Sequence, residues 1–393
     1  MPRTVKPSAT VPVFDVTRQY RALKRQIDRA MADVCDSGSF ILGPNVKRFE
    51  EEFARYHHAA HAVGVASGTD ALELGLRAAG VEAGDEVITS PFTFIATSEA
   101  IQAIGAMPVF VDIDPRTYVM DPAQIERKIT KRTKALLPVH LYGQPADMDA
   151  IGAIVKRHGL LLLEDCAQAT GATFRGQQVG TFGVAGCFSF YPTKNIGAYG
   201  DGGIVITNDA GVAKRLRMLR MHGGADKFNH EIQGRNSRLD ELQAVVLRIK
   251  LPHLDEWNRR RRQLAQQYTE CFNAAKVRSI VLPIEAPNTR HIYHLYVVRV
   301  PQRDVVRQGL ADAGITTGIH YPIPLHKEIV YRSLGCANAS LPQAERAAAE
   351  TLTLPLFPEL TEREVRRVVD ALVRVCGGAH ARARAAVSSR RHS

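Results

Sequence analysis

The sequence predicts an α/β protein, with a large domain built on a mostly parallel β-sheet covered by helices and a smaller α+β C-terminal domain after it. Three observations point there. From Val63 to about Thr207, short β-rich runs alternate with helical stretches. Beyond about Lys276 that alternation gives way to a sparser mixture of strand, extended segment and helix. The composition is that of an ordinary folded protein: 45% hydrophobic and 23% charged among 393 residues, which excludes collagen-like, coiled-coil and wholly disordered classes. The expected domains are 12–250 (large), 251–376 (small) and 377–393 (a basic, disordered tail).

In chain order, two amphipathic helices come first, Thr17–Asp36 and Asn45–His57, joined by a loop over 37–44. The expected strands are Ala62–Ala66, Glu86–Thr89, Pro108–Val111, Ala135–Val139, Leu160–Glu164, Gly186–Phe190 and Gly203–Thr207. Helices Asp70–Ala79, Ser98–Ile104 and Met148–His158 fall between them. Sheets of this kind bind ligands at the carboxyl ends of their strands, so chemistry is expected just past these runs. Leu239–Asn273 reads as one long connecting helix that Pro252 kinks or interrupts, because proline removes a helix hydrogen bond. The small domain should hold a strand (His294–Val300), a helix (Arg303–Ala313), an extended segment (Thr316–Tyr321) and a closing helix (Glu362–Val375).

No apolar run approaches the ~18–20 residues of a membrane span. Met1–Thr10 lacks the apolar segment of a secretory signal, so a cytoplasmic protein with no membrane partner is expected. The six cysteines (Cys35, Cys166, Cys187, Cys271, Cys336, Cys376) are scattered without a C-x-x-C pair. They read as free thiols in a reducing compartment, with no metal site. The net charge of +11 falls to +5 once Arg3, Lys6, Arg382, Arg384, Arg390 and Arg391 at the two ends are set aside. No nucleic-acid partner is therefore expected. The run Arg259–Arg262 reads either as a solvated helix face or as an attraction for a phosphorylated substrate.

The most informative residues are Glu164-Asp165-Cys166-Ala167-Gln168, at the end of an apolar strand, and Lys194, 29 positions after Asp165 in Ser189-Phe190-Tyr191-Pro192-Thr193-Lys194-Asn195. Singly, the aspartate could be a helix cap and the lysine a solvated side chain. Together they are what pyridoxal 5'-phosphate requires: a desolvated amine able to form a Schiff base, and an acid that keeps the pyridine nitrogen protonated. Ser67-Gly68-Thr69, between a strand and a helix, offers backbone amides to a phosphate, or is merely a capped helix start.

These residues, with Gly43-Pro44, Ala66-Ser67-Gly68-Thr69-Asp70-Ala71-Leu72, Pro91-Phe92-Thr93-Phe94, Pro138-Val139-His140-Leu141-Tyr142-Gly143, Asn236-Ser237-Arg238-Leu239-Asp240 and His320-Tyr321-Pro322, resemble the DegT/DnrJ/EryC1/StrS sugar aminotransferases. Those are fold-type I pyridoxal-phosphate enzymes with an aspartate-aminotransferase-like fold, and the resemblance runs from about Val13 to Val375. It implies that Lys194 is the Schiff-base lysine, that Asp165 faces the pyridine nitrogen and that Gln168 lies near the phenolic oxygen. It also implies that Phe94 stacks on the ring, although ordinary core packing would explain that residue as well. Ser67, Gly68, Thr69 and Ser189 would hold the phosphate, and Asn236 would reach it from a partner subunit, making a homodimer with shared active sites. Cys166 replaces the family's usual alanine and should be silent. Lys194 excludes the dehydratase branch, which has histidine there.

The resemblance further implies L-glutamate as donor, pyridoxamine phosphate as intermediate and a nucleotide-diphosphate keto-sugar as acceptor. Asn-Ser-Arg-Leu-Asp at Asn236–Asp240 is similar to the form in enzymes that aminate C3 of dTDP-3-keto-6-deoxyhexoses. Relatives that act at C4, or on keto-inositols, tend to show Asn-Tyr-Arg-Leu-Thr. On this reading Ser237 leaves a smaller, more polar wall beside the cofactor. His320, Tyr321 and His326 either border the sugar or form a polar turn around Pro322 and Pro324. A non-catalytic regulator of the same fold would need an organised basic face to bind nucleic acid, and an arginine-rich tail alone does not supply one.

Overall fold

The structure, a computed structural model, describes residues 10–224, 228–334 and 339–389; Cys336 lies outside them. Asp15 opens α1 (Val16–Ser37) by accepting hydrogen bonds from the amides of Thr17 (3.0 Å) and Arg18 (3.3 Å). Helix α2 (Pro44–Tyr56) follows, with proline in its first turn, where a missing N–H costs nothing.

The large domain then runs β1 (His61–Val65), α3 (Gly68–Ala79), β2 (Glu86–Thr89), α4 (Ala96–Ala103), β3 (Met107–Phe110), β4 (Thr133–Leu137), α5 (Met148–His158) and β5 (Leu161–Asp165). A short hairpin, β6 (Thr173–Phe174) and β7 (Gln177–Gln178), precedes β8 (Ala185–Ser189), β9 (Gly203–Thr207) and α6 (Ala210–Leu219). The seven-stranded sheet has the order β1-β9-β8-β5-β4-β2-β3. Its neighbours are parallel except where β9 pairs with β1 and β8. Strand β9 thus enters the sheet at the edge where β1 and β8 leave it: Gly203 pairs with both Val65 and Ser189. Val63, Leu163, Cys187 and Val205 pack with α3 and α6 on one face, while Phe188, Ile204 and Ile206 pack with Phe49, Phe53, Leu247 and Leu254 on the other.

The long helix expected from Leu239 is interrupted. Helix α7 (Glu241–Lys250) gives way to a 3₁₀ turn at Leu251–His253, and α8 (Leu254–Ala275) resumes after it. Pro252 sits inside that turn, where the absent N–H breaks the ladder. The arginine run on α8 is structural. Arg259 pairs with Glu256, Arg262 with Glu285, and buried Arg261 donates to the carbonyls of His294 and Leu356.

Strand β10 (Thr289–Arg290) joins β6, and β11 (Tyr296–Arg299) is followed by α9 (Arg303–Asp312) and α10 (Pro342–Glu350). Strand β12 (Thr351–Leu354) pairs antiparallel with β11, and α11 (Glu362–Ser389) closes the chain. Tyr268, Tyr296, Val298, Leu352, Leu354, Val365 and Leu372 form this region's core. The expected extended segment Thr316–Tyr321 makes only an isolated bridge, Gly318 to Thr353. Helix α11 runs through 377–389, where the sequence suggested a disordered tail; alanine at 379, 381, 383, 385 and 386 is a strong helix former. Among the described residues, no helix is long and apolar enough to cross a membrane.

Candidate active site

Asp165 is the last residue of the central strand β5, at the carboxyl end of the parallel strands. The carboxylate is 3% exposed, accepts from Thr97 Oγ1 on α4 at 2.8 Å and takes the Ala167 amide at 3.1 Å. Burial pushes the carboxyl above its usual range, and these two bonds oppose that shift. Lys194 stands in the turn after β8, its amide bonded to the Tyr191 carbonyl at 2.8 Å. Desolvation pulls its amine down to about 8, with Asp165 pulling the other way. The acid and the amine are thus within electrostatic reach, each disfavoured in its charged form by burial.

Ser67 caps α3, its Oγ accepting from the Asp70 amide at 3.1 Å. The amides of Gly68 and Thr69, at the start of the helix, have no intrahelical carbonyl to bond. Backbone and hydroxyl crowd together here: a Cβ at Gly68 would lie 2.5 Å from that of Ser189, and one at Gly203 would lie 2.1 Å from Ser67 O. The antiparallel entry of β9 brings this about, since only glycine lets it pass under the turn. Helix-terminal amides beside a serine hydroxyl fit a phosphate. A depressed lysine fits an aldehyde carbon, and a buried carboxylate fits a cationic ring nitrogen.

Gln168 ties the neighbouring loops together, its Oε1 accepting from the Tyr142 amide at 2.7 Å and its Nε2 donating to Tyr321 Oη at 3.0 Å. Tyr321 lies 5.8 Å, ring to ring, from Phe94, which is 54% exposed and so is not a core residue. His320 bonds Thr353 through Nδ1 at 2.7 Å, and its carbonyl accepts from the Tyr142 hydroxyl. Lys194 is close enough to lower the His320 imidazole further below its usual value, to about 4, although burial is the larger cause. His326 is different: its ring is wholly buried and bonds Glu345 of α10 at 3.0 Å. Among the described residues, no hydrogen bond or ring contact joins its side chain to the other site residues.

Asn236 is exposed, its backbone bridged to Met221. Ser237 does not form the wall expected of it. It is buried, and its Oγ accepts from the Ala66 amide at 3.2 Å while its own amide donates to Arg220 O. The hydroxyl ties down the end of β1, so the contrast between serine and tyrosine here is one of local packing. Cys166 is sealed in the core with Val179 and Phe188. Sequence reasoning missed Thr97 and Tyr142 as partners of the named residues, and missed Asn195, whose only signal was its place next to Lys194.

Residues 21–373 match the model of the DegT/DnrJ/EryC1/StrS aminotransferase family. A protein of Geobacillus stearothermophilus named "Pleiotropic regulatory protein" is 50% identical over 92% of this chain and 97% of its own length. The dTDP-3-amino-3,4,6-trideoxy-alpha-D-glucose transaminase of Streptomyces venezuelae is 48% identical over 92% of this chain and 95% of its own. A crystal structure of S. venezuelae DesV in complex with a ketimine intermediate superposes with a TM-score of 0.91 at 48% identity, covering 93% of this chain and 98% of that one. Pyridoxal phosphate is the cofactor these likenesses indicate, and the donor set at the strand ends suits it. Nearly the whole length, the topology and the chemistry of the strand ends agree, and the chain belongs to the DegT/DnrJ/EryC1/StrS aminotransferases, as a pyridoxal-phosphate-dependent sugar transaminase.

Proposed function

We propose that this chain moves an amino group from L-glutamate to a nucleotide-diphosphate-linked 3-keto-6-deoxyhexose, giving the 3-amino sugar. The observation that carries the catalytic half is the opposed pair of Lys194, with an amine lowered to about 8, and buried Asp165, at adjacent strand ends. Support for C3 comes from the S. venezuelae relative, whose name places the amine at that carbon. A regulatory name is attached to another relative, but this chain has the lysine that transamination needs.

When bound, the cofactor supplies the electron sink for loss of a proton next to nitrogen. Lys194 Nζ would hold the cofactor and, once released, would take up and return the proton of the donor's Cα. Asp165, backed by Thr97, keeps the ring nitrogen protonated. The amides of Gly68 and Thr69, with Ser67 and Ser189, take the phosphate, while Gln168 and Phe94 orient the ring, and His320 and Tyr321 face the sugar. Asn236, exposed on its own subunit, serves the phosphate of a second copy. Phe40 and Ile41 are also exposed, and their backbone bonds to Glu241 and Asp240, at the end of the same Asn236–Asp240 segment. The assembly is a dimer with shared sites.

Borohydride reduction of the protein in its pyridoxal form, followed by peptide mapping, should leave the cofactor on Lys194. The amine form should then be offered the 3-keto and 4-keto nucleotide sugars separately, with products analysed by NMR. Faster turnover of the 4-keto sugar, with the amine at C4, overturns the C3 reading. Sedimentation should show a dimer, and an active monomer removes Asn236 from the site.

A further inference from the structure

Tyr142 stands where three segments meet, and its backbone is unusual. In the loop after β4 it takes φ +59°, and Gly143 follows at φ +91°. The left-handed region is uncommon for a bulky residue, and such a conformation persists where its surroundings over-determine it. Here each polar group of Tyr142 is bound to a different segment. Its amide donates to Gln168 Oε1 at 2.7 Å, its carbonyl accepts from the His294 amide at 2.8 Å, and its hydroxyl donates to the His320 carbonyl. Its ring is buried against Phe92 and Tyr118. Gly143 lets these backbones close in, since a Cβ there would lie 2.7 Å from Ile292 Cγ1 and 3.2 Å from Gln168 O.

Two of those bonds belong to a closed circuit. Tyr142 donates to Gln168, Gln168 Nε2 donates to Tyr321 Oη at 3.0 Å, and Tyr321 is joined by its peptide to His320, whose carbonyl returns to Tyr142. The circuit has one polarity. A peptide N–H can only donate, so Gln168 turns its oxygen to Tyr142 and its nitrogen to Tyr321. Tyr321 Oη therefore accepts from Gln168, and its own hydrogen is left for another acceptor; no described residue takes it. The segment that carries this hydroxyl has few other ties. Gly318 bridges Thr353 and the Leu325 amide donates to Pro91 O, but residues 319–323 make no backbone–backbone hydrogen bond with any described residue. Between those two points, His320 is held by its Nδ1 on Thr353 and its carbonyl on Tyr142.

We propose that Tyr142 is a positioning residue for the sugar half of the reaction: by holding the His320 carbonyl and Gln168 together, it fixes Tyr321 so that the Tyr321 hydroxyl donates a hydrogen bond to an oxygen of the keto-sugar. The inference rests on the reading that His320 and Tyr321 face the sugar. Tyr142 acts through Tyr321, so its hydroxyl should count for nothing once that of Tyr321 is gone.

The test uses the holoenzyme in its amine form and whichever of the 3-keto and 4-keto nucleotide sugars it turns over. Tyr321→Phe should lower kcat/KM for that sugar about tenfold, the worth of one hydrogen bond. Tyr142→Phe keeps the ring, the amide and the carbonyl and loses only the bond to His320. It should lower kcat/KM for the sugar about fivefold, mainly through KM, while the glutamate half-reaction changes by less than about twofold. The double variant should lose about tenfold in all, no more than Tyr321→Phe alone. Without sugar, hydrogen exchange read by mass spectrometry should quicken over 318–324 in Tyr142→Phe and stay as it was over β5. Losses that multiply to about fiftyfold in the double variant, an equal loss in the glutamate half-reaction, or unchanged exchange over 318–324 in a folded Tyr142→Phe protein overturns the proposal. Normal sugar kinetics in Tyr321→Phe overturns it too, by removing Tyr321 from the sugar. Quickened exchange in Tyr142→Phe would then show that the circuit holds the segment and that the reading of the sugar wall is what failed.

Discussion

The last two residues of β5 are neighbours in sequence and face opposite sides of the sheet. Glu164 points to the back. Its carboxyl group accepts from the amides of Gly180 (2.7 Å), Phe182 (2.8 Å) and Gly183 (3.0 Å) and meets His140 Nε2 at 3.1 Å. Asp165 points to the pocket and has one hydroxyl and one amide. Both are buried, yet one is saturated and the other left short of partners. Saturation fixes the loop before β8; shortage leaves a carboxylate that gains by meeting a cation. The back of the sheet is built for stability, and the strand ends hold unspent interactions for a ligand.

Substitutions on the two sides should separate these roles. The largest effect is expected at the pocket: Lys194→Ala should lower the glutamate half-reaction by at least ~10³-fold, while the far-ultraviolet circular dichroism stays that of the folded protein. Near-normal turnover would sink the assignment. Asp165→Asn should cost on the order of a hundredfold to a thousandfold in the single-turnover rate, with cofactor still bound, because the carboxylate that charges the ring is gone.

Glu164→Gln should do the reverse. Its new NH₂ would face a backbone amide or the His140 ring, and denaturant unfolding should register a loss of about 2–4 kcal/mol with little change in kcat for the folded fraction. Equal losses of rate from Glu164→Gln and Asp165→Asn would erase the distinction between the faces. Thr97→Val sharpens it, since it removes a bond to Asp165 without altering shape. A rate loss of roughly fivefold is expected, about 1 kcal/mol, with the pH profile moved upward as the carboxyl is pushed further up.

A last comparison is read from the pH dependence of stability in cofactor-free protein. Lys194 falls from 10.5 to about 8 on folding, so between those values the unfolded chain holds more protons than the folded one. Stability therefore rises with pH across that window, and Lys194→Ala should flatten the rise.

Much of this was legible from the sequence because it is local. The strands announce themselves as short apolar runs, and Asp165, Lys194 and Ser67–Thr69 mark strand ends without reference to anything distant. What was hidden depends on the fold. Thr97 sits on α4, far in sequence from the carboxylate it holds, and Asn258 meets Asn195 only because α8 packs behind the lysine turn. Ser237 misled for the same reason: a motif position says nothing of which way a side chain turns, and this one turns to the Ala66 backbone. The interruption at Pro252 was readable; the continuation of α11 past Gly377 was masked by charge and by two glycines.

Strand β9 also sets the order in which the molecule can be made. It pairs His61 with Thr207 and Ser189 with Gly203, so β1 has no neighbour in the sheet until β9 has been synthesised and threaded between β1 and β8. Contacts that span so much chain form late, because the entropy of closing the loop must be met before they add stability. The phosphate cradle, split between the end of β1 and the end of β8, is thus among the last parts of the large domain to assemble. A nascent chain that has emerged only as far as Asn195 already carries the lysine and the aspartate, but has no closed site in which to use them.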